Sequence, residues 1–209
     1  MKPKIFPSIM GESQKEINEL FRKLKGVAKT LHLDVADGKF VPNKSLWFKF
    51  NLSPRFKYNA HLMVENPKRW IAKHGDKVDL CIVHEESIKD LGEFISEMNK
   101  NNKKVGLALK PETKAQSIKK YLDKIDYILI LTVNPGFYGG KYLKYPLRKI
   151  SIIKKMNPKI KIIVDGGMHP TTIKDAVNAG ADVIVSGSFT TKADNPKRSL
   201  KLLNEAMQD

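Results

Sequence analysis

The sequence is short of cysteine, arginine and long apolar runs, and each shortage excludes a class of protein. Cys81 is the single cysteine among 209 residues, so an internal disulfide is impossible and a disulfide-stabilised secreted fold is excluded. No apolar run approaches the roughly 20 residues that a membrane-spanning helix needs. The first ten residues, MKPKIFPSIM, have no apolar segment typical of a secretion signal. We therefore expect a cytoplasmic protein with no membrane partner.

Only five of the 38 basic residues are arginines, although the net charge is +16. Strong positive charge is typical of nucleic-acid-binding proteins, but base recognition and bidentate phosphate contacts favour arginine. The lysines are spread along the whole chain and form no single block. This pattern favours a solvated, lysine-rich surface that attracts small anions. Nucleic acid is the less favoured alternative, for which KYLKY at 141–145 is the best local candidate.

Apolar, β-branched segments alternate with segments of helical periodicity, which predicts parallel strands joined by helical crossovers. The eight predicted strands lie at 4–8, 30–35, 59–64, 79–84, 104–109, 126–133, 160–165 and 182–186. The main helical segments lie at 16–24, 69–74, 91–100, 115–124, 147–156, 172–180 and 199–207. Eight such units predict an α/β fold, a single (β/α)8 TIM barrel that spans residues 1–209 as one domain. An open doubly wound sheet is the alternative, but PSIMGESQ lacks the glycine-rich motif that usually follows its first strand.

The second predicted strand carries polar residues among apolar ones, in the segment LHLDVADGKFVPN. Successive side chains of a strand point to opposite faces. His32 and Asp34 are therefore predicted on one face, and Leu31, Leu33 and Val35 on the other. An imidazole beside a carboxylate is compatible with a hydrogen-bonded pair, a metal site or an acid–base device.

Further polar residues stand within or at the ends of other strands, where the active sites of barrel enzymes lie. His61 belongs to the third predicted strand and Asp165 ends the seventh. Two histidines and two carboxylates from three strands favour a divalent metal site, and a hydrogen-bonded polar layer is the alternative. His84 ends a strand and is predicted to support the site from behind. His74 and His169 are predicted at the surface.

Glycines follow the last two predicted strands, at Gly166-Gly167 and at Gly187-Ser188. Backbone amides at such turns bind phosphate, and these two loops are the frequent phosphate site of the barrel fold. Glycines that serve only tight turns are the alternative. The segment NPGFYGG at 134–140 is either a lid with glycine hinges or a flexible loop.

Together these segments match a known family. PSIM, LHLDVADGKFVPN, HLMVENP, VGLALKPET, LTVNPGF, VDGGM and AGADVIVSGS stand in that family's order. The chain resembles the ribulose-phosphate 3-epimerase family over nearly its full length. The resemblance implies a metal-dependent epimerase of the pentose phosphate pathway that interconverts ribulose 5-phosphate and xylulose 5-phosphate through an enediolate. It implies His32, Asp34, His61 and Asp165 as metal ligands, with Asp34 and Asp165 also the catalytic acid–base pair.

The resemblance also implies a phosphosugar partner, a homo-oligomer and no organic cofactor. Zinc is the first choice of metal, with iron, manganese and cobalt as alternatives. The implied substrate-binding residues are Ser8, His61, Met63, Gly136, Phe137, Tyr138, Gly139, Gly166, Gly167, Gly187 and Ser188.

Several positions depart from the family pattern. Ala36 and Leu131 stand where the family has methionine, Tyr138 and Gly140 alter the lid, and the segment after PSIM lacks the family's usual Ser-Ala-Asp. A smaller side chain at position 36 is compatible with a larger sugar, so a ketohexose-phosphate 3-epimerase, for example one acting on allulose 6-phosphate, is an alternative. A phosphosugar-binding protein without activity is another, but it predicts the loss of a metal ligand, and all four are present.

Overall fold

Eight parallel strands close into a barrel in the computed structural model, which describes residues 2–136 and 139–208. The strands of the barrel are β1 (Lys4–Ile9), β2 (Thr30–Asp37), β4 (Lys57–Met63), β5 (Leu80–His84), β6 (Val105–Leu109), β7 (Tyr127–Leu131), β8 (Lys161–Asp165) and β9 (Val183–Ser186). Their order is β1-β9-β8-β7-β6-β5-β4-β2, and β1 pairs with β2 to close the ring, with Ser8 opposite His32. The predicted TIM barrel is confirmed.

Helices cover the outside of the barrel. They are α1 (Gln14–Leu24), α2 (Pro67–His74), α3 (Leu91–Lys100), α4 (Arg148–Met156), α5 (Ile173–Ala179), α6 (Ser188–Thr191) and α7 (Pro196–Ala206). Short 3₁₀ helices lie at Gly75–Lys77, Glu85–Ser87, Ala115–Tyr121 and Tyr145–Leu147. The segment predicted as an α-helix at 115–124 is thus a 3₁₀ helix, which has neither a capping side chain nor an acidic residue in its first turn. Within the described residues, no helix combines the length and the apolar character needed to cross a membrane.

Local sequence signals account for several helix ends. The sequence Asn-Pro-Lys-Arg occurs twice, and in both copies the asparagine, Asn66 or Asn195, caps the helix that follows. Each asparagine side chain accepts a hydrogen bond from the backbone N–H three residues on, and the proline supplies a backbone angle already suited to the first turn. Gly180 ends α5 in the left-handed conformation at φ +96°, which glycine adopts readily at the C-terminus of a helix.

The connection between β2 and β4 departs from the barrel pattern. Residues 38–56 contain the two-residue strand β3 (Lys44–Ser45), antiparallel to β2, and this described stretch forms no helix. Phe50, from this stretch, has a side chain that is only 1% exposed. Its ring stacks on that of His74, with ring centroids 4.5 Å apart. The prediction of His74 at the surface is therefore wrong, because the aromatic residues of the irregular connection cover it.

The core has two layers, one inside the barrel and one between the barrel and its helices. The inner layer includes Leu129, Ile163 and Val185. Leu31, Leu33 and Val35 belong to the outer layer, as the alternation in β2 predicts. His32 and Asp34 consequently point into the barrel, where both are buried. The period-two alternation of one strand thus directs two polar side chains into the barrel interior.

Candidate active site and metal centre

A cluster of two histidines and two aspartates lies inside the barrel, near the carboxyl ends of the strands. The potential ligand atoms of His32, Asp34, His61 and Asp165 all lie within 4.8 Å of one another. The register of the sheet brings two members of the cluster together, because Asp34 of β2 stands directly opposite His61 of β4. Asp165 ends β8, so its side chain enters from the other side of the ring, 3.7 Å from Nδ1 of His61.

His32 gives the clearest indication that this cluster suits a cation. Its ring is fully buried, and neither ring nitrogen has a hydrogen-bond partner within the described residues. Burial lowers the pKa of His32 to about 4, although the charge of Asp34 acts to raise it. A neutral imidazole with an uncommitted lone pair is a metal ligand, whereas an unpaired buried polar group without a ligand is costly. Two imidazoles and two carboxylates fit zinc, iron, manganese or cobalt.

The two carboxyl groups have opposite pKa shifts. Burial acts to raise the pKa of Asp34, but its contact with the His61 ring and its interactions with His32 and Ser8 bring this pKa below its ordinary value. Burial and the negative charge of Asp34 together raise the pKa of Asp165 well above its ordinary value. Two nearby carboxylates in a low-dielectric site disfavour each other's ionisation. The pair is therefore suited to hold one ionised and one protonated carboxyl group.

His84 lies behind His61, away from the two aspartates. Its ring is fully buried at the end of β5, and its Nε2 lies 2.9 Å from Nε2 of His61. Burial lowers the pKa of His84 to about 4, so the ring is neutral. Burial acts to raise the pKa of Glu86, but the nearby His84 ring and the hydrogen bond from Thr113 outweigh burial and bring this pKa to about 2. A neutral imidazole with an ionised carboxylate next to it thus supports one member of the cluster.

The turn that follows Asp165 is tightly constrained. Gly166 adopts φ +116°, and a Cβ atom added there would stand 2.6 Å from Cγ2 of Val133. The hydroxyl of Thr132 donates to the carbonyl oxygens of Asp165 at 3.0 Å and of Gly166 at 2.7 Å. Glycine is the residue that tolerates both the positive φ and the close approach. These contacts fix the direction in which the Asp165 side chain leaves the strand.

The cluster opens into a cavity of about 310 Å³ at the carboxyl ends of the strands. Most of the residues predicted for the site line it, namely Ser8, Asp34, His61, Met63, Gly136, Gly139, Asp165, Gly166, Gly167, Gly187 and Ser188. His32 lies at the cluster without lining the cavity. Phe137 and Tyr138, also predicted for the site, lie outside the described residues.

Comparisons with known proteins agree with this geometry. The sequence profile of the Ribulose-phosphate 3 epimerase family matches residues 4–190. The chain belongs to the ribulose-phosphate 3-epimerase family. The Schizosaccharomyces pombe Ribulose-phosphate 3-epimerase is 32% identical over 217 residues, covering 99% of this chain and 95% of that protein. The Bacillus subtilis protein of the same name is 34% identical over 210 residues, covering 94% and 96%. Membership of this family supports an enzyme of the epimerase class.

Solved structures support the fold alone. 3-Hexulose-6-phosphate synthase from Salmonella typhimurium matches with a TM-score of 0.70 at 16% identity, covering 100% of this chain and 99% of that one. KGPDC from Streptococcus mutans matches with a TM-score of 0.67 at 12% identity, covering 100% and 98%. Both similarities extend over the complete barrel.

The positions where this member departs from the family pattern lie in different surroundings. Leu131 lines the cavity, whereas Ala36 is fully buried and packs with Val41 and Met63 away from the open space. The sequence analysis missed Met168, Phe189 and other residues of the cavity wall. The position of Met168 directly after Gly167 is a signal that could have identified it. His169, predicted at the surface, is exposed and also forms part of the cavity rim.

Proposed function

We propose that this protein is a metal-dependent ribulose-phosphate 3-epimerase that interconverts D-ribulose 5-phosphate and D-xylulose 5-phosphate. The observation that carries this proposal is the meeting of Asp34 and Asp165. Their side chains enter one cavity from β2 and β8, strands that are not neighbours in the barrel, at a cluster with two imidazoles. Two carboxyl groups on different sides of one cavity suit a reaction that removes a proton from one face of a carbon and returns one to the other.

The chemistry requires one base and one acid. One aspartate removes the proton from C3, so that the C3–H bond breaks and its electron pair moves toward the C2 ketone to give the enediolate of the substrate. The other aspartate then donates a proton to the opposite face of C3, and a new C3–H bond forms. His32, Asp34, His61 and Asp165 would hold a divalent cation, which would supply Lewis acidity for the negative charge of the enediolate. The opposite pKa shifts of the two aspartates match these opposite roles.

Backbone groups of two turns and several side chains of the cavity wall would provide the remaining substrate contacts. We assign the phosphate to the turns at Gly166-Gly167 and Gly187-Ser188, which line the same cavity as the two aspartates. Their backbone N–H groups offer donors for an anion. Ser8, His61 and Met63 line the cavity and would contact the sugar. Gly136 and Gly139 also line the cavity and would lie beside the bound substrate.

The proposal is tested by measuring epimerisation of ribulose 5-phosphate in D₂O. Activity is compared for the protein as purified, after chelation, and after zinc, manganese, cobalt or iron(II) is restored. The expected result is metal-dependent turnover with deuterium incorporated at C3. Asp34→Asn and Asp165→Asn should each abolish turnover. Asp123→Asn is the matched control, because that aspartate is exposed and precedes β7 at the opposite end of the barrel.

Other outcomes have distinct meanings. Metal-dependent turnover of hexulose phosphates alone would replace the pentose substrate and retain the reaction. Phosphosugar binding without turnover, with the metal bound, would indicate a binding protein. Metal analysis identifies the cation, for which zinc is the first choice. Sedimentation tests the proposed homo-oligomer, and cell fractionation tests the proposed cytoplasmic location.

A further inference from the structure

The two ring nitrogens of His61 have different neighbours, and these neighbours favour different positions for the ring proton. Its Nδ1 faces the metal cluster, 3.3 Å from Oδ1 of Asp34 and 3.7 Å from Oδ2 of Asp165. The ionised carboxylate of Asp34 attracts a proton to Nδ1, and a proton there would block the nitrogen that must bind the cation. Metal binding therefore requires the ring to carry its single proton on Nε2.

The nitrogen on the opposite side of the ring meets His84. The two Nε2 atoms are 2.9 Å apart and both rings are fully buried, so water is not an available partner. A hydrogen bond at this distance needs a proton on one of these nitrogen atoms and a lone pair on the other. The tautomer of one ring therefore determines the tautomer of the other.

Either His61 or His84 could donate the hydrogen bond between the two Nε2 atoms. Glu86, on the other side of His84, determines which of the two rings donates. Nδ1 of His84 is 3.5 Å from Oε2 of Glu86, a distance that a small rotation closes to a hydrogen bond. The other oxygen of Glu86 accepts from the hydroxyl of Thr113 at 2.6 Å, which holds the carboxylate in place. An ionised carboxylate can only accept, so the proton of His84 belongs on Nδ1 and its Nε2 presents a lone pair to His61. Phe40 covers the His84 ring, with centroids 4.8 Å apart.

We propose that Glu86 and His84 are positioning residues that hold His61 in the tautomer with its proton on Nε2, which leaves Nδ1 free as a metal ligand. The inference rests on the proposed function, because it takes His61 to be a ligand. The chain Glu86–His84–His61 opposes the attraction of the Asp34 carboxylate for a proton on Nδ1. Groups that orient a ligand in this way typically change metal affinity by about 10- to 100-fold when they are removed.

The first measurement is the zinc dissociation constant, obtained by competition with a chromophoric chelator. Glu86→Gln should weaken zinc binding by about 10- to 100-fold, because an amide can donate as well as accept and no longer dictates the tautomer of His84. His84→Phe should weaken it similarly, and His84→Gln should restore part of the affinity by returning an acceptor to His61. Glu85→Gln is the matched control, because the carboxylate of Glu85 accepts from Ser117 instead, at 2.7 Å.

The second measurement is the ¹⁵N NMR spectrum of histidine-labelled, zinc-loaded protein. It should show His61 protonated on Nε2 and His84 protonated on Nδ1 in the unmodified chain. A proton on Nε2 of His84, or zinc affinities in Glu86→Gln and His84→Phe equal to that of Glu85→Gln, would overturn this inference and leave the epimerase proposal intact. An unmodified protein that binds no zinc or other divalent cation would instead refute the proposed metal site, and this inference with it.

Discussion

Replacing Gly166 by alanine tests whether the turn after Asp165 is as constrained as the structure indicates. A positive φ costs a residue with a Cβ atom about 1–3 kcal/mol. The new Cβ would also stand 2.6 Å from Cγ2 and 2.9 Å from Cγ1 of Val133, and such overpacking typically costs about 1–3 kcal/mol. We therefore expect Gly166→Ala to lower the free energy of unfolding by about 2–6 kcal/mol. Activity should also fall, because the substitution displaces the strand end that carries Asp165.

A comparison with Gly26→Ala separates the steric cost of the Val133 contact from the backbone cost of a positive φ. Gly26 also has a positive φ, of +73°, but a Cβ atom there would meet nothing within 4 Å, so only a backbone cost of about 1–2 kcal/mol remains. The entropy that alanine removes from the unfolded chain is the same at both positions and cancels in the difference. Urea unfolding of the two variants measures that difference.

A double variant tests whether the methyl groups of Val133 cause the destabilisation expected for Gly166→Ala. In the Val133→Ala background the two methyl groups are absent, so Gly166→Ala should cost about 1–3 kcal/mol less than it does in the unmodified protein. If Gly166→Ala destabilises no more than Gly26→Ala, or if its cost is the same in both backgrounds, the argument from the close approach of Val133 is refuted.

Three further predictions concern groups outside the site. Burial raises the pKa of the Cys81 thiol to about 12, so a thiol reagent at pH 8 should modify it only after unfolding. Burial raises the pKa of Asp182, but hydrogen bonds from the Ile162 N–H and from Lys154 lower it below its unfolded value of 3.8. Its stabilising contribution is therefore complete above that value and disappears as the pH falls through the folded pKa, so Asp182→Asn should cost about 1–2 kcal/mol at pH 7 and less near pH 3 in urea unfolding. Phe50→Ala should cost about 3–5 kcal/mol in the same assay, because the ring is fully buried.

A specific result would contradict each of these three predictions. Rapid modification of native Cys81 would show that the thiol is accessible. An Asp182→Asn effect that does not change between pH 7 and pH 3 would show that the carboxylate charge contributes nothing. Leu202→Ala is the control for Phe50, because Leu202 is 41% exposed and its truncation should change stability by less than about 0.5 kcal/mol.

Features that depend on neighbours in the chain could be predicted from the sequence. The side-chain alternation of β2 follows from strand geometry, so the placement of His32 and Asp34 on one face of the strand needed no knowledge of the rest of the fold. Closure of the barrel decided that this face points inward. The asparagine caps at Asn66 and Asn195 and the glycine at Gly180 are likewise local signals. The repetition of strand and helix predicted the barrel, because parallel strands require crossovers.

Features that depend on distant residues were decided only by the tertiary structure. The sequence places Asp34 and Asp165 on strand ends, but their distance depends on how β1 closes the ring against β2. Burial of His74 depends on Phe50 from an irregular connection, for which no periodic pattern exists. The contact between His61 and His84 depends on how β4 and β5 lie in register. Local propensities act over a few residues, whereas register and ring closure are properties of the assembled barrel, and they determine which side chains meet.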